Sequence, residues 1–474
     1  MERTVREGYL NILERELVCA LGCTEPIAVA FVAALARDAL GTVPEHLSVA
    51  CSGNIIKNVK SVTVPNSGNQ RGIEAAATLG CVGGRAEAAL EVLEGVTEDE
   101  QERTRELVSS GFCDVSLAED VPNLYVRVVA TGEGHEGVAC VSGRHTNVVE
   151  LTRDGKAVSV DGVTVQEGAA QEDAEAEPDL ACLSLEGIWE FAHTVPIADI
   201  KDMIERQVTL NEEISNEGLS GDWGARIGKT LLLTRPDDIS CRARAAAAAG
   251  SDARMSGCPM PVVINCGSGN QGITCSLPVA EYARFLKVSH DEMLRAVALS
   301  DLTAIHAKRF IGELSAFCGA VTAATGAGAA ICYLRGGSFG QYQATIANTL
   351  ANVGGIVCDG AKPSCAAKIA AAVDACHPRL RHGIGTCRLQ SRRRPHRRDD
   401  GRDDPLHGIR RTCRHASHRR RDPEHHDWKN GLPELLRLTH RAWQRQGPGW
   451  RASCHPGWGA CHRARRALGQ SPVS

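Results

Sequence analysis

The chain has 474 residues, 43% apolar and 23% charged, with a formal net charge of −4. That length allows two or three domains, the apolar content permits a large core, and the small net charge points to no class of partner. Twenty cysteines follow a charged, amphipathic start, MERTVREGYLNILERELV, that holds no apolar signal segment. This predicts a cytoplasmic chain and argues against a disulfide framework, so most cysteines are expected as small buried residues and a few as metal ligands.

Leu10, Leu13, Leu17 and Leu21 recur at helical spacing, predicting a helix over Tyr9–Leu21 that stops at Gly22. A second helix is expected over Ile27–Leu40, with Thr24 as its N-cap and Pro26 in its first turn. Cys23 then stands just before a helix N-terminus, where the dipole favours a thiolate; a buried structural thiol is the plainer alternative. A strand over His46–Cys51 leads to Ser52-Gly53-Asn54, then to Lys57-Asn58-Val59-Lys60 and the short run Val62–Val64. The loop Asn66–Ile73 opens an Ala-rich helix and has the composition of an anion-binding turn, although ordinary turns share it.

Two helices are expected within Ala86–Gly111, and strands at Tyr125–Ala130, Gly137–Val141, Asn147–Leu151 and Ala157–Val165, making 114–165 a β-rich insertion. An acidic loop, Gln166–Glu177, precedes helical segments at Leu185–Ala192 and Ile197–Asn216. Gly218–Gly221 interrupts the pattern before Arg226–Leu233 and Ala243–Ala249. Met260–Asn265 ends in Cys266–Ile273, which repeats the Ser-Gly-Asn-Gln…Gly-Ile wording of Asn66–Ile73, so the two loops are expected to face one pocket. The spacing is too long for a solenoid repeat.

Ile311–Gly337 is the centre of the chain: from Ala316 to Leu334 it carries no charge and is mostly Ala, Gly, Thr, Val and Cys. Such a length invites a membrane span, but lipid favours Leu, Ile and Phe. Small side chains suit a buried helix around a site, with Cys318 near its start and Cys332 near its end. A helix at Tyr342–Ala351 and a Gly-flanked loop holding Cys358 precede a last helix, Ala366–Ala375.

Five of these stretches together, Gly22-Cys23-Thr24-Glu25-Pro26, Ser52-Gly53-Asn54, Gly267–Ile273, Ala316-Phe317-Cys318-Gly319 and Gly355–Lys362, resemble the L-cysteine desulfidase family. That family is related to the alpha-chain domain of iron–sulfur L-serine dehydratases, and the resemblance runs from about residue 5 to 376. It implies an oxygen-sensitive [4Fe–4S] cluster held by Cys23, Cys318 and Cys358, with one iron left open as a Lewis acid. It further implies β-elimination from L-cysteine to pyruvate, ammonia and sulfide. Spacing alone does not select three cysteines from twenty, and Cys258, Cys266 and Cys275 form a competing group expected mainly in the core. Ser52, Asn54, Asn270 and Gln271 are the candidates for holding the substrate; Lys57 and Lys362 are candidate bases or carboxylate partners, or else solvated surface charges. L-serine dehydration and a non-catalytic iron–sulfur or thiol sensor are the alternatives. The expected architecture is one α+β catalytic unit over 1–376, α-rich around the Gly/Ala helix, with the smaller β-containing part beside it. The expected partner is a small amino acid, not a membrane or nucleic acid; oligomeric state is not readable, a homodimer remaining open.

From His377 the character changes. Eleven of the 17 histidines and four of the six tryptophans lie in 377–474, among runs such as Ser391-Arg392-Arg393-Arg394-Pro395. A basic nucleic-acid arm fits poorly, because Asp and Pro are interleaved and Lys429 is the sole lysine. Members of the resembled family finish near an Ile-Met-Thr-Gly-Lys-like helix. His425-His426-Asp427-Trp428-Lys429 can be encoded CAT CAT GAC TGG AAA, which one base later reads Ile-Met-Thr-Gly. The expectation is a frameshift near the Cys376 codon, followed by a disordered tail. Resequencing that region should restore the frame; an intact reading frame with the tail translated as written overturns it.

Overall fold

A computed structural model describes residues 1–160, 163–165, 180–312 and 314–376, all within one unit, Met1–Cys413. The acidic loop Gln166–Glu177 and the tail 377–474 lie outside the described residues. The fold is α+β, an α-rich body with a smaller sheet, as the sequence leads one to expect. Helix α1 (Arg3–Glu16) leads through β1 (Cys19–Leu21) into α2 (Thr24–Leu40), β2 (His46–Cys51), α3 (Gly53–Val59) and α4 (Ile73–Gly83). A 3₁₀ segment, Ala86–Glu91, and α5 (Glu98–Ser109) precede β3 (Cys113–Leu117), β4 (Tyr125–Gly132), β5 (His135–Ser142), β6 (Val148–Arg153) and β7 (Lys156–Ala157). The rest is helical apart from β8 (Pro261–Val263). It comprises α6 (Leu185–Thr194), α7 (Ile197–Ser220), α8 (Ile227–Thr234), α9 (Ile239–Met255), α10 (Gly269–Leu286), α11 (His290–Lys308), α12 (Gly319–Leu334), α13 (Phe339–Val353) and α14 (Ser364–Cys376).

The six-stranded sheet runs β3-β2-β4-β5-β6-β7, with only β2 and β3 parallel. Its strands between 114 and 165 therefore share a ladder with His46–Cys51, far earlier in the chain. Alternation along β4 turns Val126, Val128 and Ala130 inward, while Arg127 reaches outward to Glu150 at 2.8 Å. Helix α2 is buried along almost its whole length between this sheet and α4, and each large apolar side chain it buries contributes about 1.5–3 kcal/mol.

Two large apolar cores meet in the α-rich body. Ala320 and Ala324 of α12 belong to the first, which includes α2 and the sheet; Ala327, Ala330, Ile331 and Leu334 belong to the second, which includes α1, α6, α7 and α11. Helix α12 is thus the seam between them, packed against α10, α11, α13 and α14. Its small residues are what let four helices approach: a Cβ on Gly326 would lie 2.2 Å from the Ser300 carbonyl oxygen of α11.

Three expected boundaries move. The helix over Tyr9–Leu21 stops at Glu16, because Cys19–Leu21 pairs antiparallel with Pro261–Val263. The N-cap of α2 is Cys23, one residue before Thr24. Helix α7 runs through Gly218 rather than breaking there; that glycine lets the Ala249 carbonyl of α9 close in, to 2.0 Å from where a Cβ would sit, and α7 ends at Gly221.

Gly326→Ala should cost about 1–3 kcal/mol in urea unfolding, because two helix backbones must part. Gly340→Ala in α13, where an added Cβ meets nothing within 4 Å, should be neutral or stabilise by about 0.5 kcal/mol. Equal effects at the two positions would contradict the close-packed seam.

Candidate functional site

Strands β1 and β8 each lead to a helix start at the same place. β1 ends in Gly22 and Cys23, the N-cap of α2. β8 ends in a tight turn in which Asn265 and Ser268 exchange backbone hydrogen bonds of 3.2 and 3.1 Å, with Cys266 at φ 48° and Gly267 at φ 71°. Two successive positive φ values make a two-residue turn of the hairpin kind; Cys266, a non-glycine in the left-handed region, carries its strain. Thr24 Oγ1 donates to the Gly267 carbonyl at 2.9 Å and ties the two helix starts together. Opposite them, Cys318 N–H donates to Ile356 O at 3.0 Å and Cys358 N–H to Ala316 O at 2.8 Å. This short antiparallel strap sets Cys318, the N-cap of α12, beside Cys358, while Cys365 lies in the first turn of α14.

These segments enclose a cavity of about 110 Å³, lined by Cys23, Glu25, Asn58, His145, Arg254, Cys266, Asn270, Gln271, Lys308, Cys318, Cys358 and Cys365, with apolar walls from Met255, Leu314, Phe317 and Ile369. Its size is below that of pockets for drug-sized ligands, so it suits a small one. Four helices, α2, α10, α12 and α14, present their N-termini to it. Elsewhere Ser52, Thr97, Ser184, Asp238 and Ser289 cap α3, α5, α6, α9 and α11 with their side chains. At the cavity, Cys23, Ser268 and Cys318 make no such bond. Gln271 N–H and Val321 N–H turn back to the Ser268 and Cys318 carbonyls at 3.1 Å each, and the positive dipole ends of α2, α10 and α12 face the cavity without a side-chain cap.

Burial pushes the Cys23 thiol well above its ordinary pKa; the Glu25 charge adds to this and Arg254 opposes it. The dipole expected to favour a thiolate is outweighed, and Cys23 Sγ donates to Glu25 Oε2 at 3.2 Å. Burial also raises Cys318, against the Ala320 amide, with the nearby Cys358 charge adding to it. Cys365 is pushed up to about 11, chiefly by burial, with the charges of Cys318 and Cys358 adding to it. Cys318 and Cys365 thus each lie within reach of the Cys358 charge, whereas the neighbours of Cys23 are Glu25 and Arg254. For Glu25, burial works to raise the pKa, but the charges of His145 and Arg254 and the Cys23 hydrogen bond hold it below the ordinary value. Glu25 is thus a buried carboxylate, also bonded by Thr24 Oγ1 at 3.1 Å and Asn58 Nδ2 at 2.9 Å.

All three expected ligands, Cys23, Cys318 and Cys358, line this one cavity, as do Asn270 and Gln271. Gln271 is clamped in place: Thr322 Oγ1 donates to it at 3.3 Å, and Gly319 leaves the room its amide needs. Ser52 and Asn54 lie outside the lining; Ser52 caps α3 and donates to Asn123 O at 2.7 Å, and Asn54 donates to Asn123 Oδ1 at 3.2 Å. Neither candidate lysine lines the cavity. Lys362 pairs with Asp359 at 3.0 Å, and Lys57 contributes its backbone carbonyl, against which Gly360 packs. The loop Asn66–Ile73 does not face the cavity either: Asn66 is bonded to the carbonyls of Leu93, Glu94 and Val96, and Gln70 to that of Gln101. Its resemblance to Cys266–Ile273 is one of turn chemistry. Cys258 and Cys275 are core residues, and Cys266 is both buried and at the cavity.

Sequence reasoning missed Arg254, Glu25, Asn58 and Cys365. Arg254 had a signal, being the only cation after Ala245 in the Ala/Gly-rich helix α9.

The donor set suits an iron–sulfur group: soft thiols from separate segments, facing unused helix N-termini. Among the described residues, no three His, Cys, Asp or Glu side chains converge as ligands of one metal ion must. A cluster asks for less convergence, since each thiolate binds its own iron.

A family model described as serine dehydratase alpha chain matches residues 87–378. The chain is 49% identical over 367 residues to the UPF0597 protein of Lachnoclostridium phytofermentans, covering 77% of this chain and 86% of that one. It is 45% identical over 370 residues to the UPF0597 protein of Finegoldia magna, covering 78% and 87%.

Behind the Cys266 turn, Asn265 and Gln207 donate to Asp301 Oδ1 at 2.8 and 3.0 Å. Burial pushes Asp301 up to about 7, against the hydrogen bonds of Gln207, Asn265 and Cys275. Between the ordinary carboxyl value near 4 and 7, the folded chain keeps a proton that the unfolded chain has released. Stability from this group is therefore full below about pH 4 and lost as pH rises to 7, by on the order of 4 kcal/mol. Asp301→Asn should flatten the pH dependence of urea unfolding over that window; an unchanged slope would show that Asp301 ionises normally.

Proposed function

This chain belongs to the serine dehydratase alpha-chain family, and on that footing we propose that it is an iron–sulfur lyase that converts L-cysteine to pyruvate, ammonia and sulfide. The observation that carries the reading is the gathering of Cys23, Cys318, Cys358 and Cys365 on one small cavity faced by uncapped helix N-termini. Cys318 and Cys358, set side by side by the strap, and Cys365 at the start of α14 would hold a [4Fe–4S] cluster, with Cys23 beside Glu25. When bound, such a cluster supplies a Lewis-acidic iron for a leaving thiolate.

The chain's own residues supply the rest. The helix N-termini and Lys308 favour negative charge on the thiolates and on the leaving sulfur. Met255, Leu314, Phe317 and Ile369 restrict water. Cys23 Sγ donates to Glu25 Oε2 at 3.2 Å, and this pair is our assignment for accepting the Cα proton. As that proton leaves, its electron pair forms the Cα–Cβ double bond and the Cβ–S bond breaks, releasing sulfide. The aminoacrylate left behind tautomerises to an imine, and water hydrolyses it to pyruvate and ammonia. The second reading is L-serine dehydration, favoured by the name of the matched family, in which hydroxide leaves instead.

The test is anaerobic pyruvate release from L-cysteine and L-serine by the iron- and sulfide-reconstituted chain. Cys365→Ser and Cys318→Ser should lose iron and turnover together. Cys23→Ser should keep its iron and lose about 10²–10⁴-fold in kcat, the range for a missing acid–base group. Pyruvate mainly from serine would transfer the assignment to the second reading, and pyruvate from neither substrate in a folded, iron-replete chain would refute both.

A further inference from the structure

Arg254 is among the largest fully buried side chains, 1% exposed, at the end of α9 and on the cavity wall. Its Nε donates to Gly22 O at 2.8 Å, which fixes the plane of the guanidinium. Its Nη2 has no hydrogen-bond partner among the described residues. A buried guanidinium with an idle donor is costly unless an anion arrives to use it, and a planar fork suits a carboxylate better than a point charge would. Glu25 lines the same cavity, its carboxylate bonded by Thr24 Oγ1 and Asn58 Nδ2. Two further buried oxygens on the lining, Asn58 Oδ1 and Asn270 Oδ1, accept no hydrogen bond. Asn58 donates its amide to Glu25, so its oxygen faces away from that carboxylate. An ammonium carries three donors and no acceptor; Glu25 with these two amide oxygens offers three acceptors.

We propose that Arg254 holds the α-carboxylate and Glu25, with Asn58 and Asn270, the α-ammonium of a small amino acid, whose side chain is thereby directed to Cys318, Cys358 and Cys365. The assignment deepens the lyase reading and rests on it for the identity of that side chain. Recognition of both charged ends makes the free amino acid the ligand and rejects simple thiols.

The test is anaerobic titration calorimetry of the reconstituted full chain with L-cysteine, with cysteamine, which lacks the carboxylate, and with 3-mercaptopropionate, which lacks the ammonium. L-cysteine should bind about 100-fold more tightly than either, because a site built to pair a charge rejects the analogue that lacks it. Arg254→Met should erase the preference over cysteamine and leave that over 3-mercaptopropionate; Glu25→Gln should do the reverse. Arg254→Lys, which keeps the charge without the fork, should fall between. Equal affinities in the unaltered chain overturn the proposal even if no variant folds, as does an unchanged preference in folded Arg254→Met. If the amino acid is bound with these preferences but no pyruvate forms, the lyase reading fails and the two-ended recognition stands.

Discussion

Four helices begin at one cavity, and the charge balance there depends on that convergence. Each N-terminus contributes about 0.3–1 kcal/mol toward a nearby anion, more where it is partly buried. With Cys23 and Cys318 as N-caps, the first-turn N–H groups have no side-chain oxygen to satisfy them. The same residues that could serve as ligands therefore leave the helix ends open. Arg254 and Lys308 come from the opposite direction, at the C-terminal ends of α9 and α11. Their positive charge offsets the negative ends of those helices while their heads reach the cavity. Glu25 is the carboxylate of this lining, and it stays ionised because His145 and Arg254 oppose the penalty of burying it.

Helix α12 makes this convergence sterically feasible. A helix rich in Leu or Phe would hold its neighbours too far apart to bring their ends to one point. Gly319 admits the Gln271 amide of α10, Gly326 the Ser300 carbonyl of α11, and Gly328 the Cys376 side chain of α14. The lack of charge that makes this stretch look like a membrane segment reflects its position between two apolar cores; no described helix is long and apolar enough to cross a membrane.

Periodicity revealed most of the elements. The strands from Tyr125 to Leu151, α2, α6 and the Gly/Ala helix read correctly from alternation or helical spacing, whereas the strand expected over Ala157–Val165 is only Lys156–Ala157, with Val165 in an isolated bridge to Val148. What failed was decided by tertiary partners. Leu17 and Leu21 continue the helical spacing of α1, but the backbone between them pairs with a segment some 240 residues away in sequence, and no local pattern carries that information. Gly218 reads as a break because its use, contact with Ala249, lies on another helix. In the site, cysteines in Gly-flanked motifs were legible as a group. Arg254 was faint, because its meaning comes from burial, and one of three arginines in an Ala-rich helix looks like an exposed charge. The paired Ser-Gly-Asn-Gln wording misled for the opposite reason: tight turns draw on few residue types, so two turns can look alike without sharing a purpose.

The strap between Ala316–Cys318 and Ile356–Cys358 has a bearing on how the last third of the chain is held. Its two backbone hydrogen bonds close a loop of about 40 residues that contains α12 and α13. Any group bridging Cys318 to Cys358 acts there as a covalent tether does, removing chain entropy from the unfolded state by on the order of 4 kcal/mol for a loop of that length. Loss of the bridge would then register as a mechanical change before a chemical one. The strap would have to stay shut on two hydrogen bonds alone, and the helices it encloses would become the segment most open to proteolysis.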